Sequence, residues 1–265
     1  MMLSKRKFIL ALAGAAGMML AGASAHAQSA LDDIVKTKTI KIAIPTDYPP
    51  YGFVGLDMKP QGLDIDMASL VASKMGVKLE LVPVTSANRI PALQTHKADL
   101  VISSLGKNAE REAVIDFSHA YAPFFQAVFA PASLPVKSWA DLSGKTVGVT
   151  RGAMEDQELT KVAPTDVQIR RFEDHNATIA AFVAGQTQLV ATSSAVADNM
   201  IRKNPQLAAE FKLLLKESPC FIGVAKGESA LMAKVNEIIL AAKNSGELDA
   251  LSKKWLGRAA GDLPL

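Results

Sequence analysis

The chain has 265 residues, one cysteine and four histidines, with 29 Lys plus Arg against 26 Asp plus Glu. A single thiol cannot close an internal disulfide and the His and Cys residues show no metal-ligand spacing, so burial has to supply the stability. The formal charge of +3 is no nucleic-acid footprint, because Lys5, Arg6 and Lys7 account for all of it. These three precede an apolar run over 8–21 and the small-x-small triplet Ala25-His26-Ala27, the pattern of a cleaved secretory leader. With cleavage after Ala27, the exported chain begins at Gln28. It carries balanced charge and no lipid-anchoring cysteine, and is long enough for one large domain or two lobes.

In chain order, the spacing predicts a helix over 31–37 and a strand over 39–44, where Thr39-Ile40-Lys41-Ile42-Ala43-Ile44 alternates. A Pro-, Gly- and Tyr-rich loop covers 45–55. Leu63-Asp64-Ile65-Asp66 leads into a helix over 67–75 that stops at Gly76. A strand over 77–83, a helix over 88–95 and a strand over 98–103 complete a β-α-β-α-β run. Such a run implies a mostly parallel sheet with helices on its faces, whose binding positions are the loops after the strands. Tyr48, 86–89 and 104–111 fall in those loops.

A second α/β unit follows. Strands are predicted over 146–150, 167–172 and 188–192, with helices after Gly152, over 176–184 and over 195–203. Glu155, Asp156 and Glu158 suit a solvated first helical turn, where acids meet the N-terminal dipole. Strands over 211–215 and 221–225 and helices over 231–244 and 246–255 close the chain. Two Pro-containing segments, about 122–129 and 217–222, bracket this second unit. The expected fold is therefore α/β with two lobes, 28–123 plus 222–265 and 128–217, joined by a two-strand hinge with a ligand cleft between them.

Ser104, Gly106 and Arg111 lie just past a strand in Val101-Ile102-Ser103-Ser104-Leu105-Gly106, and Arg89 lies upstream in Asn88-Arg89-Ile90-Pro91. A hydroxyl, backbone N–H groups near a glycine and a guanidinium fork are what a carboxylate needs, since it accepts hydrogen bonds only. A second arginine points to a second anionic group. The plainer reading leaves both arginines on the surface in ordinary ion pairs.

Several motifs in one order carry a family resemblance: Tyr48-Pro49-Pro50-Tyr51, Gly62-Leu63-Asp64-Ile65-Asp66, Arg89-Ile90-Pro91-Ala92-Leu93, Asp141-Leu142-Ser143-Gly144-Lys145-Thr146 and Lys254-Trp255-Leu256-Gly257. The chain resembles the periplasmic solute-binding proteins of polar amino acid ABC importers, bacterial extracellular solute-binding protein family 3. That resemblance implies the type II two-lobe fold. It also implies a small carboxylate ligand, membrane subunits of an importer as partners, a monomer, and no cofactor. It assigns Arg111 to the ligand α-carboxylate, Ser104 and Gly106 to its support, and Tyr48 to packing on the ligand. The glutamate/aspartate-type binders resemble this chain further, through Arg89 and the pair Asp174-His175, which contact a distal acidic group there. Arg89, Arg111 and His175 would then form an electropositive pocket, and the plainer reading of His175 is a solvated neighbour of a helix cap.

Departures from the pattern bear on the amine end of the ligand. The acid that such proteins place against an α-ammonium is replaced by Ser193 in Ala191-Thr192-Ser193-Ser194, and desolvating an ammonium without a counter-charge is costly. The hydroxyl-rich turn reads Gly152-Ala153-Met154, preceded by Arg151, so backbone N–H groups and a third arginine are the donors expected for an anion there. An alternative is an enzyme resembling periplasmic cyclohexadienyl dehydratase, which needs a carboxyl acid in the cleft. Glu155, Glu158 and Glu173 are the glutamates within reach. A third alternative is a ligand-sensing binding protein acting through a partner.

Overall fold

The computed structural model describes residues 29–265, so the leader and its cleavage site lie outside the described residues. Ser29 caps α1 (Ala30–Thr37) by accepting the Asp32 amide, and Lys38 in left-handed backbone turns the chain into β1 (Thr39–Ile44). The predicted loop that follows contains a small antiparallel sheet of β2 (Asp47–Tyr48), β3 (Gly52–Val54) and β4 (Pro60–Gln61). Strands this short carry no periodicity for a sequence pattern to show.

Helix α2 (Leu63–Met75) starts at Leu63 rather than at 67. Gly62, at φ 134°, lets the chain turn there, and the Leu63 and Asp64 amides donate to the Pro50 and Tyr51 carbonyls. Asp64 consequently falls on one helical stripe with Met67, Ala68 and Val71, all fully buried. β5 (Lys78–Pro83), α3 (Arg89–Gln94), β6 (Leu100–Leu105), α4 (Ala109–Glu112) and β7 (Ile115–Ala122) complete this part.

The chain then crosses into a second sheet. It contains β8 (Phe125–Pro131), β9 (Thr146–Thr150), α5 (Met154–Val162), β10 (Gln168–Phe172), α6 (His175–Val183), β11 (Leu189–Ser193), α7 (Ser194–Lys203) and β12 (Ala209–Glu217). β13 (Cys220–Ala225), α8 (Ser229–Ser245) and α9 (Glu247–Leu256) return to the first lobe.

The sheet orders are β5-β1-β6-β13-β7 and β10-β9-β11-β8-β12. β1 is parallel to β5 and β6, and β9 is parallel to β10 and β11. β13 and β8, which arrive from the opposite lobe, run antiparallel to β6 and β11. The two lobes thus share one plan, and the chain passes between them at Ala122–Phe125 and Glu217–Cys220.

Both faces of each sheet are covered, as parallel strands require. In the first lobe, Ile40, Ile42 and Ile44 pack with Val71, Leu100 and Ile222, while Ala43, Leu93 and Val101 fill the other face. Val147, Val149 and Leu159 lie on one side of the second sheet, and Phe129, Phe182 and Val190 on the other. The first core continues through Tyr48 and Phe124 to Val196 of α7, so apolar packing spans the junction. Cys220 is fully buried at the second crossing, and burial pushes its thiol pKa well up, which suits a core thiol.

Candidate ligand-binding site

The parallel strands deliver their C-terminal loops to one line of contact between the lobes. Arg89 at the start of α3 and Arg111 in α4 are buried there, 5% and 3% exposed. Arg89 Nε donates to the Ser86 carbonyl (3.1 Å), Nη1 to Ser103 (2.8 Å) and Nη2 to Gly152 of the other lobe (3.4 Å). Arg111 Nη1 donates to the Gly106 carbonyl (2.8 Å) and Nη2 to the same Gly152 carbonyl (3.0 Å).

Among the described residues, neither guanidinium has a carboxylate within ion-pair distance. The reading of both as surface ion-pair residues is thereby corrected. Burial and then the neighbouring Arg89 push the Arg111 pKa down to about 9, and burial lowers that of Arg89. Two buried cations hydrogen-bonded to carbonyls alone have the charge and the donors that suit an anion.

Ser104, at φ 45°, directs its hydroxyl away from the expected role: Oγ donates to Asp64 Oδ2 at 2.8 Å. Tyr121 donates to Asp64 Oδ1 at 2.6 Å. Sequence reasoning missed Asp64, although its place on the stripe with Met67 and Val71 marks it as an inward acid. Burial raises its pKa to about 6, against the two hydroxyls and Arg89. The folded state therefore binds the proton more tightly than the unfolded chain. The associated stability is complete below about pH 4 and is lost as pH rises through 6. Wild type is expected to gain about 2–3 kcal/mol relative to Asp64→Asn between pH 7.5 and pH 4. Urea unfolding of both proteins at the two pH values measures this, and parallel curves would refute it.

Tyr48 is 2% exposed, and its ring lies 3.8 Å from the His175 ring and 5.7 Å from Tyr51. Protein covers the ring where ligand packing was expected. Its hydroxyl joins the lobes, accepting the Ser193 amide (3.2 Å) and donating to Glu155 Oε1 (3.1 Å). Glu155 is only 3% exposed, which corrects its reading as a solvated first-turn acid. Its spacing from the fully buried Leu159, one turn along α5, is the signal that was available. Burial raises the Glu155 pKa, while its own backbone amide, Tyr48 and both arginines favour the ionised form.

His175 is buried, not a solvated cap neighbour. Its Nε2 lies 2.9 Å from Ser86 Oγ across the cleft, and its Nδ1 is 2.9 Å from Thr150 Oγ1. Burial and then Arg89 hold the imidazole well below its usual pKa, so it is neutral at pH 7 and the expected three-cation pocket has two cations. Asp174 caps α6 by accepting the Ala177 amide, and Asp47 accepts the His175 amide.

Ser193, fully buried, is the N-cap of α7: its Oγ accepts the Val196 amide at 3.3 Å. Arg151 does not enter the cleft. Its side chain is half exposed and pairs with Glu173 at 3.0 Å. Of the amides expected to hold an anion, Gly152 donates to Asp156 and Ala153 to the Thr150 carbonyl. Met154 is buried against Gly106, where an added Cβ would meet its Cε at 2.7 Å, and its Sδ accepts from Asn108 at 3.7 Å.

The structure thus brings Tyr48, Arg89, Ser104, Gly106, Arg111, Gly152, Ala153, Met154, His175 and Ser193 to one interface, and leaves Arg151 outside. It adds Glu155 and Gln126. Gln126, in β8 opposite Ser193, is fully buried with neither carboxamide atom bonded. Among the described residues no three His, Cys, Asp or Glu side chains converge to hold a metal ion.

Residues 40–258 match the family model for bacterial extracellular solute-binding proteins, family 3. The ABC transporter glutamine-binding protein GlnH of Bacillus subtilis (strain 168) is 27% identical over 257 residues, covering 94% of this chain and 93% of that protein. Holo ArgBP from T. maritima superposes with a TM-score of 0.75 at 29% identity, covering 85% of this chain and 99% of that one. AncCDT-1, an ancestral amino acid-binding protein and precursor of cyclohexadienyl dehydratase, gives 0.78 at 32% identity, with 86% and 99% covered. The architecture is the two-lobe periplasmic binding protein fold of these structures.

Proposed function

Since the chain belongs to the bacterial extracellular solute-binding proteins, family 3, we propose that it is the periplasmic ligand-capturing component of an ABC importer, with an acidic amino acid or related diacid as its cargo. The observation that carries this reading is the buried Arg89–Arg111 pair at the lobe junction, which has no carboxylate within ion-pair distance among the described residues. A ligand carboxylate would take the Arg111 fork, and the two lobes would close on it, since each contributes contacts that exist only when they meet. The protein would act as a monomer that hands its cargo to the importer's membrane subunits.

Charge supports an acidic cargo. At the cleft, Arg89 and Arg111 exceed Glu155 by one positive charge, while Asp64 lies behind Ser104 and Asp47 is engaged at the α6 N-terminus. GlnH and ArgBP carry glutamine and arginine in their names, so those ligands are the proper competitors. Basic amino acids fit poorly beside two guanidiniums.

A thermal-shift series on mature protein, unfolded and refolded to remove copurified ligand, tests the reading. The panel is glutamate, aspartate, 2-oxoglutarate, succinate, glutamine and arginine. At a hundredfold excess over Kd, binding adds about 2.7 kcal/mol, which moves Tm by several degrees. Glutamate or aspartate should give the largest shift. A larger shift with glutamine or arginine would replace the acidic assignment, and no shift with any of them would remove the amino-acid reading.

Glu155 favours one second reading, a dehydratase-like enzyme. A buried carboxyl with a raised pKa beside a tyrosine hydroxyl has the properties of a general acid. Aromatic product formed from prephenate would establish it.

A further inference from the structure

Glu155 is a buried carboxylate that stands in the cleft without a cation. Its Oε1 accepts from Tyr48, and among the described residues no Lys, Arg or His nitrogen lies within ion-pair distance of it. Both arginines act on it electrostatically yet bond to carbonyls instead. A carboxylate offers about four acceptor positions, and the Tyr48 hydroxyl together with the residue's own backbone amide leaves part of that capacity for another donor.

A second, independent observation points the same way. Gln126 is fully buried, and both its Oε1 and Nε2 lack a partner, a costly arrangement for a carboxamide. Its Nε2 lies 3.6 Å from where a Cβ on Gly106 would sit, and Met154, the neighbour of Glu155, meets that same point. Gln126 also lies opposite Ser193 in the β8–β11 ladder, and the Ser193 amide donates to the Tyr48 hydroxyl that itself donates to Glu155, so Gln126 and Glu155 are brought together around one hydrogen-bonded group at the lobe junction.

We propose that Glu155, assisted by the Gln126 carboxamide, forms an ammonium subsite, so that the protein selects amine-bearing acids over their amine-free analogues. This inference rests on the amino-acid reading above and specifies the other end of the same ligand. An α-ammonium has three donors and one positive charge. Glu155 supplies the counter-charge, and Gln126 Oε1 supplies a neutral acceptor. Ser193, whose hydroxyl caps α7, is not needed for the task.

Titration calorimetry on refolded protein tests this with two probe pairs, L-glutamate with 2-oxoglutarate and L-aspartate with succinate. Wild type should bind the better amino acid at least tenfold more tightly than its amine-free partner. Glu155→Gln, which keeps the shape and can still accept from Tyr48, should lose at least thirtyfold for that amino acid. It should hold the amine-free acid unchanged or more tightly. Gln126→Leu should weaken the amino acid by a smaller factor in the same direction, and the ligand-free Tm of each variant reports its folding. If Glu155→Gln keeps the amino acid within threefold of wild type, or weakens both members of a pair equally, the subsite is wrong while the acid-capture reading stands. If wild type binds neither amino acid, both fall together.

Discussion

Replacing Arg111 with alanine is expected to weaken capture of the carboxylate ligand by about 2–5 kcal/mol, the cost of removing one partner of a buried, hydrogen-bonded charge pair. That is roughly thirtyfold to several thousandfold in Kd. The expectation follows from where the guanidinium sits. It is 3% exposed, fixed at one end by the Gly106 carbonyl of its own lobe, and in contact with Gly152 across the cleft. Without a ligand, that guanidinium is hydrogen-bonded to carbonyl dipoles only, so an anion relieves an existing cost. Arg111→Lys should recover only part of the loss, because an ammonium cannot match two carboxylate oxygens at once. Calorimetry with the best ligand of the thermal-shift panel measures both variants. An Arg111→Ala affinity within threefold of wild type would exclude the clamp.

Gly152→Ala should weaken binding by roughly ten- to a hundredfold without touching the ligand, through the equilibrium between open and closed lobes. Gly152 is one of the points at which the second lobe meets the first. Its carbonyl receives Arg89 and Arg111, and an added Cβ would lie 2.9 Å from the Ala87 Cα and 3.3 Å from the Ala87 Cβ. A backbone atom cannot step aside as a long side chain does, so the clash falls on the closed form alone. The residue also sits at φ 71°, which costs a non-glycine residue about 1–2 kcal/mol in either form. The two effects separate experimentally: the backbone cost lowers the ligand-free Tm, whereas the clash keeps the ligand-saturated variant more extended in small-angle scattering. A variant with reduced Tm but wild-type affinity and wild-type compaction would show that closure does not run through this contact.

Much of the architecture was legible because it rests on periodicity. β1 alternates and α2 carries a continuous apolar stripe. The central strands β6, β9, β11 and β13 are short, largely apolar runs that end in loops. The two-residue strands β2 and β4 were not legible, since pairing this local leaves no pattern. At the site, Arg89 and Arg111 could be singled out from their loop positions beyond β5 and β6, but their shared contact with Gly152 depends on how two separate lobes meet. The same fact explains the errors. Glu155 in a first helical turn satisfies the dipole rule whether it faces water or the other lobe, and only the seat of Tyr48 against α5 decides it. Arg151 and His175 are local neighbours in opposite situations. Arg151 turns outward to Glu173, and His175 turns inward between Ser86 and Thr150, losing its charge on burial. Ser193, placed by the resemblance at an ammonium, also caps a helix, a role that its position before α7 announces.

The crystal structure of the refolded protein with the acid giving the largest thermal shift is the most direct test. The expected result is a ligand between the lobes with a carboxylate oxygen about 2.7–2.9 Å from the Arg111 guanidinium nitrogens. A ligand carboxylate seated elsewhere, with Arg111 still bonded only to the Gly106 and Gly152 carbonyls, would contradict it.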